Sequence, residues 1–207
     1  MKLWSWLSAL VLSLAVPVAQ PGLAGVVLEG TVHCPSEHPK VVFVEAGNVV
    51  SPPPPSAPAV LDQRGLEFIP RVLPVMVGTR VAFINSDPVL HNVFSASKTK
   101  LFNLGTYATG VTRYVTFDRP GVVEVLCNVH HEMIAYIVVL PGNLFTITDD
   151  AGRYRLEGLP AGEARATFWC EVHGVHRRKL KLDPSQPNRL DLDDTAEPSE
   201  RDLVFDR

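Results

Sequence analysis

Cys127, His130 and Met133 lie in the stretch Cys-Asn-Val-His-His-Glu-Met over 127–133, which puts a thiol, an imidazole and a thioether into one short turn. A second imidazole, His91, lies well upstream in Asn-Ser-Asp-Pro-Val-Leu-His-Asn-Val-Phe. Two imidazoles, a thiolate and a weak thioether form the ligand set of a mononuclear electron-transfer copper. Zinc usually takes a harder fourth ligand than Met, and an iron–sulfur cluster needs more cysteines. Copper(I) favours soft ligands and low coordination, whereas copper(II) favours nitrogen, oxygen and a tetragonal shape. A trigonal His₂Cys set with a distant thioether serves both states tolerably, so little rearrangement accompanies gain or loss of one electron.

The Cys-x2-His spacing occurs twice, at Cys127/His130 and at Cys170/His173, and only the first carries a Met three positions further on. Other readings of these residues stay open at this level. Met133 can be core packing, because Met fills irregular gaps. His91 can be a satisfied core histidine, and Cys127 can pair with Cys34 or Cys170. Cys170, His173 and His176, with His33, Cys34 or His38, can make a second metal site. His131 is expected to be a solvated bystander, and Met76 a core residue of a strand.

Strands must position these groups, since amphipathic-helix periodicity is nearly missing. Alternation and β-branching predict strands over Val26–Val32, Val41–Glu45, Val72–Val77, Arg80–Ile84, Val111–Phe117, Val122–Leu126 and Ala135–Leu140. Cys127 thus follows directly on one strand, and the next begins just after Met133. Pro74 places its segment at a sheet edge or a strand start. Asn85-Ser-Asp-Pro88 and Arg119-Pro-Gly121 are turns. Further along, Phe145–Asp149 and Gly152–Leu156 read as a hairpin turning at Asp150-Ala-Gly152, followed by a turn at Leu159-Pro-Ala-Gly162 and a strand over Ala164–Trp169. Many short strands with Gly, Pro and Asn punctuation predict an all-β fold, a β-sandwich or a barrel.

The chain has 207 residues, 46% of them hydrophobic, and a formal net charge of −3. That charge disfavours nucleic acid or an anionic membrane surface as the main partner. Lys2, the apolar run Leu3–Val18 and the small residues around Gly22-Leu23-Ala24 read as a signal peptide over 1–24. An uncleaved anchor is the competing reading, but the run is short and broken by Pro17. No later segment is long and apolar enough to cross a bilayer. The expected location is periplasmic or secreted, without stable membrane insertion once the signal is cleaved.

The segments Phe68-Ile-Pro70, Val75-Met-Val-Gly78-Thr, Val81-Ala-Phe83-Ile-Asn85-Ser-Asp87, His91-Asn92-Val93, Gly121 and the Cys127 loop together resemble the cupredoxin, or blue copper, family, with a short amicyanin-like ligand loop. The resemblance covers about 66–140. It implies a Greek-key β-sandwich holding one type 1 copper, with His91, Cys127 and His130 equatorial and Met133 axial. It also implies that Asn92 supports the thiolate through its backbone N–H and ties two loops together, and that Asn85 and Asp87 belong to the loop positioning His91. Asn128 and Val129 depart from the pattern, because many relatives carry a Pro in this loop.

Phe145-Thr-Ile-Thr-Asp149, Gly152-Arg-Tyr154-Arg-Leu and Leu159-Pro-Ala-Gly162 resemble a carboxypeptidase-regulatory-like β module. Relatives of that module begin with a strand like Gly25–Val32. The expected organisation is a signal peptide (1–24), N-terminal strands that belong to the second β module (25–50), a Pro-rich connector (51–60), the copper-binding domain (61–141), the β module (142–183) and a mobile acidic tail (184–207). One extended copper domain with appendages is the simpler alternative. If Cys127 binds metal, Cys34 and Cys170 remain as a pair, and the insertion model puts both in one module. No Ser/His/Asp constellation suggests catalysis. The expected function is single-electron transfer with a redox partner protein. Copper delivery, or a structural β module with a vestigial site, are the alternatives.

Overall fold

The computed structural model describes residues 25–47 and 49–193; the signal-peptide reading of 1–24 lies outside them. Among the described residues the protein is all-β. In chain order the strands are β1 (Val26–His33), β2 (Val41–Ala46), β3 (Ala59–Arg64), β4 (Glu67–Ile69), β5 (Val72–Met76), β6 (Arg80–Asn85), β7 (His91–Ser95), β8 (Phe102–Tyr107) and β9 (Thr112–Thr116). They continue with β10 (Gly121–Leu126), β11 (Ile134–Leu140), β12 (Phe145–Ile147), β13 (Arg153–Leu159), β14 (Gly162–Cys170), β15 (Gly174–Leu182), β16 (Asn188–Arg189) and β17 (Leu192–Asp193).

Strands β3 to β11 build one sandwich. Its sheets run β4-β3-β6-β9 and β5-β11-β10-β7-β8. Alternate residues of each strand point inward, as the two-residue period of a strand requires. Leu61, Phe68, Val81 and Phe83 come from one sheet and Val75, Val93, Val123, Val125, Ile137 and Val139 from the other, and they close a common core. Cys127 and Met133 belong to that core, so the 127–133 loop is seated on it. Pro74 lies in β5, the edge strand, paired in parallel with Val138 of β11. Met76 is half-buried there rather than a full core residue, because it sits at the strand's end.

A second pair of sheets unites both ends of the described chain. Sheet β13-β1-β16 faces sheet β12-β2-β14-β15 across a core of Leu28, Val44, Leu156, Ala166, Phe168 and Leu182. The N-terminal strands thus pair with strands beyond residue 144. Two expectations need correction here. The turn over 149–152 forms, with Gly152 N–H donating to the Asp149 carbonyl at 2.9 Å, but no hairpin follows. β12 pairs with β2 and β13 with β1, so the flanking strands go to opposite sheets, where each finds a longer apolar partner. The stretch after 183 is not free at its start either: β16 and β17 pair with β1, and Leu192 is buried. Gly30 permits this approach, since a Cβ there would collide with the Leu190 carbonyl. Residues 194–207 lie outside the described chain.

The outer face of β5-β11-β10 packs on β2 and β14 through Val72, Val122, Val138, Leu140, Val41, Phe43 and Trp169. Tyr136 and Trp169 meet across this seam with ring centroids 5.2 Å apart. Arg71 bridges it by donating to Glu171 at 3.4 Å. A disulfide joins Cys34 to Cys170 across 136 positions and ties the β1–β2 loop to the end of β14.

Candidate metal centre

Two loops at one end of the first sandwich carry the chemistry. β6 ends at Asn85, which is fully buried. Its side chain donates to the carbonyls of Val89 at 2.9 Å and Tyr107 at 3.0 Å, and its Oδ1 accepts the Asp87 N–H at 3.0 Å. These bonds fold 86–90 into a tight turn that delivers His91 to the start of β7. The Thr109 hydroxyl holds the Asp87 carbonyl from the other side. In the second loop the Met133 N–H donates to the His130 carbonyl at 3.1 Å, and the Cys127 N–H donates to the Met133 carbonyl at 3.3 Å. The loop closes on itself between β10 and β11, whose ladder runs in register from Gly121/Val139 to Leu126/Ile134.

The structure brings His91, Cys127 and His130 together, with one ligand atom from each lying within 4.8 Å of the others. Among the described residues this is the one group of three or more metal-ligating side chains so gathered. Cys127 Sγ lies 4.0 Å from His91 Nδ1, and His130 Nδ1 lies 3.1 Å from the same nitrogen. Cys127 is buried and free, and His130 is half-buried. The opposite nitrogen of His91 is committed, since Nε2 donates to Asp87 Oδ2 at 2.8 Å. With the proton on Nε2, Nδ1 presents a lone pair toward Cys127 Sγ and His130 Nδ1. A carboxylate that fixes the tautomer and orientation of a histidine is what a metal-binding imidazole needs. Three soft or borderline donors converging in a nearly dry pocket fit a thiophilic transition metal.

Burial pushes the Asp87 carboxyl up, but N–H groups of Leu66 and Gly65 and the His91 ring outweigh it and hold the group below its ordinary range. Behind the ligands Tyr107 pairs with His91 across β7 and β8. Its hydroxyl accepts from Gln63 Nε2 at 2.7 Å, and burial pushes the phenol up to about 12.

Met133 is buried in the same turn as Cys127 and His130. Asn92 is buried, and its side chain donates to Asn103 at 3.0 Å, tying β7 to β8. His131 is exposed. The second Cys-x2-His pair does not reproduce the first, because Cys170 is consumed in the disulfide. Sequence reasoning matched Asp87 to the loop around His91 but did not find its carboxylate contact with the imidazole. Nor did it find the buried Gln63–Tyr107 pair. An acid four residues before a ligand histidine in a turn was the available signal for the first. Nothing local marks the second. Next to the two histidines in sequence, Val129 is 47%, Leu90 55% and Val89 42% exposed, and Leu66 in the β3–β4 turn is 49% exposed.

No family model and no curated protein matches the chain. Among solved structures it is similar to a Cu(I) form of an amicyanin mutant, at 23% identity over 51% of this chain and 95% of that one, with a TM-score of 0.39. It is also similar to a purple cupredoxin from Nitrosopumilus maritimus, at 26% identity over 40% of this chain and 99% of that one, with a TM-score of 0.37. A copper-containing nitrite reductase from Thermus scotoductus SA-01 matches at 24% identity and a TM-score of 0.40, over 46% of this chain and 25% of its own length. The chain thus spans about a quarter of the reductase. At such TM-scores the likenesses are loose, and the chemistry of the centre rests on the ligands themselves.

Proposed function

We propose that this chain is an exported cupredoxin that carries single electrons at one type 1 copper. The convergence of His91 Nδ1, Cys127 Sγ and His130 Nδ1 carries this reading. His91, Cys127 and His130 would hold the copper, with the Met133 thioether as a weak further donor. Bound copper supplies reversible one-electron redox chemistry. The chain's own residues do the rest. Asp87 holds His91 by Nε2, the 127–133 turn fixes Cys127 and His130 relative to each other, and the sandwich core keeps all three from rearranging. Asn92 braces the strand that carries His91.

The half-buried His130 edge, with Val129, Leu90 and Val89 exposed nearby, suits contact with a redox partner protein. We read the chain as a carrier, not a catalyst, and its compartment as periplasmic or secreted. Residues 25–46 together with 145–193 we assign to one β module, of the carboxypeptidase-regulatory-like kind suggested by its motifs, into which the copper domain is inserted.

Addition of Cu(II) to the purified protein, followed by visible absorption, tests the proposal. An intense thiolate-to-copper band, lost in Cys127→Ala, is the expected result. A folded protein with no such band overturns it.

A further inference from the structure

Leu66 is the one residue other than glycine with a positive φ among the described residues, at 64°, and it follows Gly65 at 69°. Together they form the two-residue turn between β3 and β4. Paired positive φ values suit a hairpin twist, but the second position strains a residue with a bulky side chain. Gly at 66 would remove that strain, so Leu66 holds a conformation that its surroundings must enforce.

The enforcing contacts lead straight to the metal centre. Gly65 N–H donates to Asp87 Oδ1 at 2.6 Å, and Leu66 N–H donates to Asp87 Oδ2 at 3.0 Å. Oδ2 is the same oxygen that accepts His91 Nε2–H at 2.8 Å. Asp87 is 5% exposed and His91 fully buried, so the chain of turn, carboxylate and imidazole is nearly dry. The Leu66 side chain has a second role. With Phe68, Met133 and Ile134 it walls a cleft of about 390 Å³ beside the ligand loop. One turn thus reaches His91 through its amides and shares a cleft wall with Met133.

We propose that the Gly65–Leu66 turn is the positioning element of this centre: its two N–H groups clamp Asp87, and Asp87 in turn fixes the tautomer and orientation of His91. A surface hairpin far from the ligands in sequence thereby sets how rigidly the first histidine is presented. The inference rests on the proposed metal site for its purpose, but the clamp itself exists without metal.

Two variants separate it from a merely structural turn. Gly65→Val places its Cβ in open space, with no atom within 4 Å, so backbone strain at φ 69° is its expected action and shifts the amides off Asp87. Leu66→Gly relieves strain and keeps both N–H groups. The readout is nitrogen-15 and proton NMR of the His91 ring in metal-free protein, with spectral dispersion confirming the fold. In the parent and in Leu66→Gly, the Nε2 proton is expected to be visible and slow to exchange. In Gly65→Val its exchange accelerates about tenfold or more, and Cu(II) affinity falls about 10- to 100-fold, the range for loss of a ligand's supporting partner. An unchanged Nε2 proton in folded Gly65→Val overturns the proposal. So does the loss of that signal in Leu66→Gly. If copper binds to none of these proteins, the metal assignment fails, while the NMR arm still decides the clamp.

Discussion

Two loops in this molecule share one spacing and have opposite fates. Cys127-Asn-Val-His130 and Cys170-Glu-Val-His173 each begin where a strand ends and lead into the next strand. In the first, the thiol is free and faces His91 and His130. In the second, the sulfur is bonded to Cys34 and serves to fasten a loop. Spacing is therefore only a local condition. What makes the first loop a candidate ligand set is a third element, the turn over 85–91, arriving from another strand with an oriented imidazole. What makes the second a staple is the arrival of Cys34 from the β1–β2 loop.

The largest expected effect breaks the comparison at its chemical end. Cys127→Ala abolishes the thiolate–copper absorption, whereas the double variant Cys34→Ala/Cys170→Ala retains it, as spectra of copper-loaded proteins will show. Loss of both bands, or of neither, would make the two loops equivalent. At the structural end the order reverses. The double variant loses about 5 kcal/mol of stability on the chain-entropy model, because its loop spans 136 positions, and urea unfolding measures it. Reduction of the parent protein should produce a matching shift in the denaturation midpoint.

Trp169 sharpens the contrast between seam and site. It is fully buried beside Cys170 and packs on Tyr136. Trp169→Ala is expected to cost about 3 to 5 kcal/mol while leaving the copper band in place, because the seam lies on the outer face of the sheet that carries the ligands. Calorimetry and absorption on the same sample check both halves.

The smallest effect belongs to Tyr107, behind the ligands. Its folded pKa is raised from 10.0 to about 12, so the unfolded chain ionises first. The stability it contributes is complete below pH 10 and is lost as pH rises toward 12, for a total of about 2 to 3 kcal/mol. Unfolding of the parent across this alkaline range should show the slope, and Tyr107→Phe should flatten it.

Much of the scaffold was legible because burial imprints a period. Val81, Phe83, Val123 and Val125 alternate inward, and so their strands were found with nearly correct ends. Among the strands not found were β8 and β15. Phe102–Tyr107 fully buries Tyr107 alone, and Gly174–Leu182 carries His176, Arg177, Arg178, Lys179 and Lys181, so neither shows an apolar stripe. The supposed hairpin at 145–156 failed for a related reason. The turn is encoded locally, but which sheet each arm joins depends on partners about a hundred residues upstream.

The amino-acid order alone fixed the ligand types and their clustering in 127–133, since a turn of seven residues keeps its side chains near one another wherever it is placed. It also fixed which strands bury which face. Only the folded chain decided that His91 meets Cys127, that Asp87 takes the far nitrogen of that imidazole, and that Cys170 is spent on Cys34. Each of those is a contact that depends on where the fold carries its two groups, and its geometry follows from how the sheets pack rather than from any local pattern.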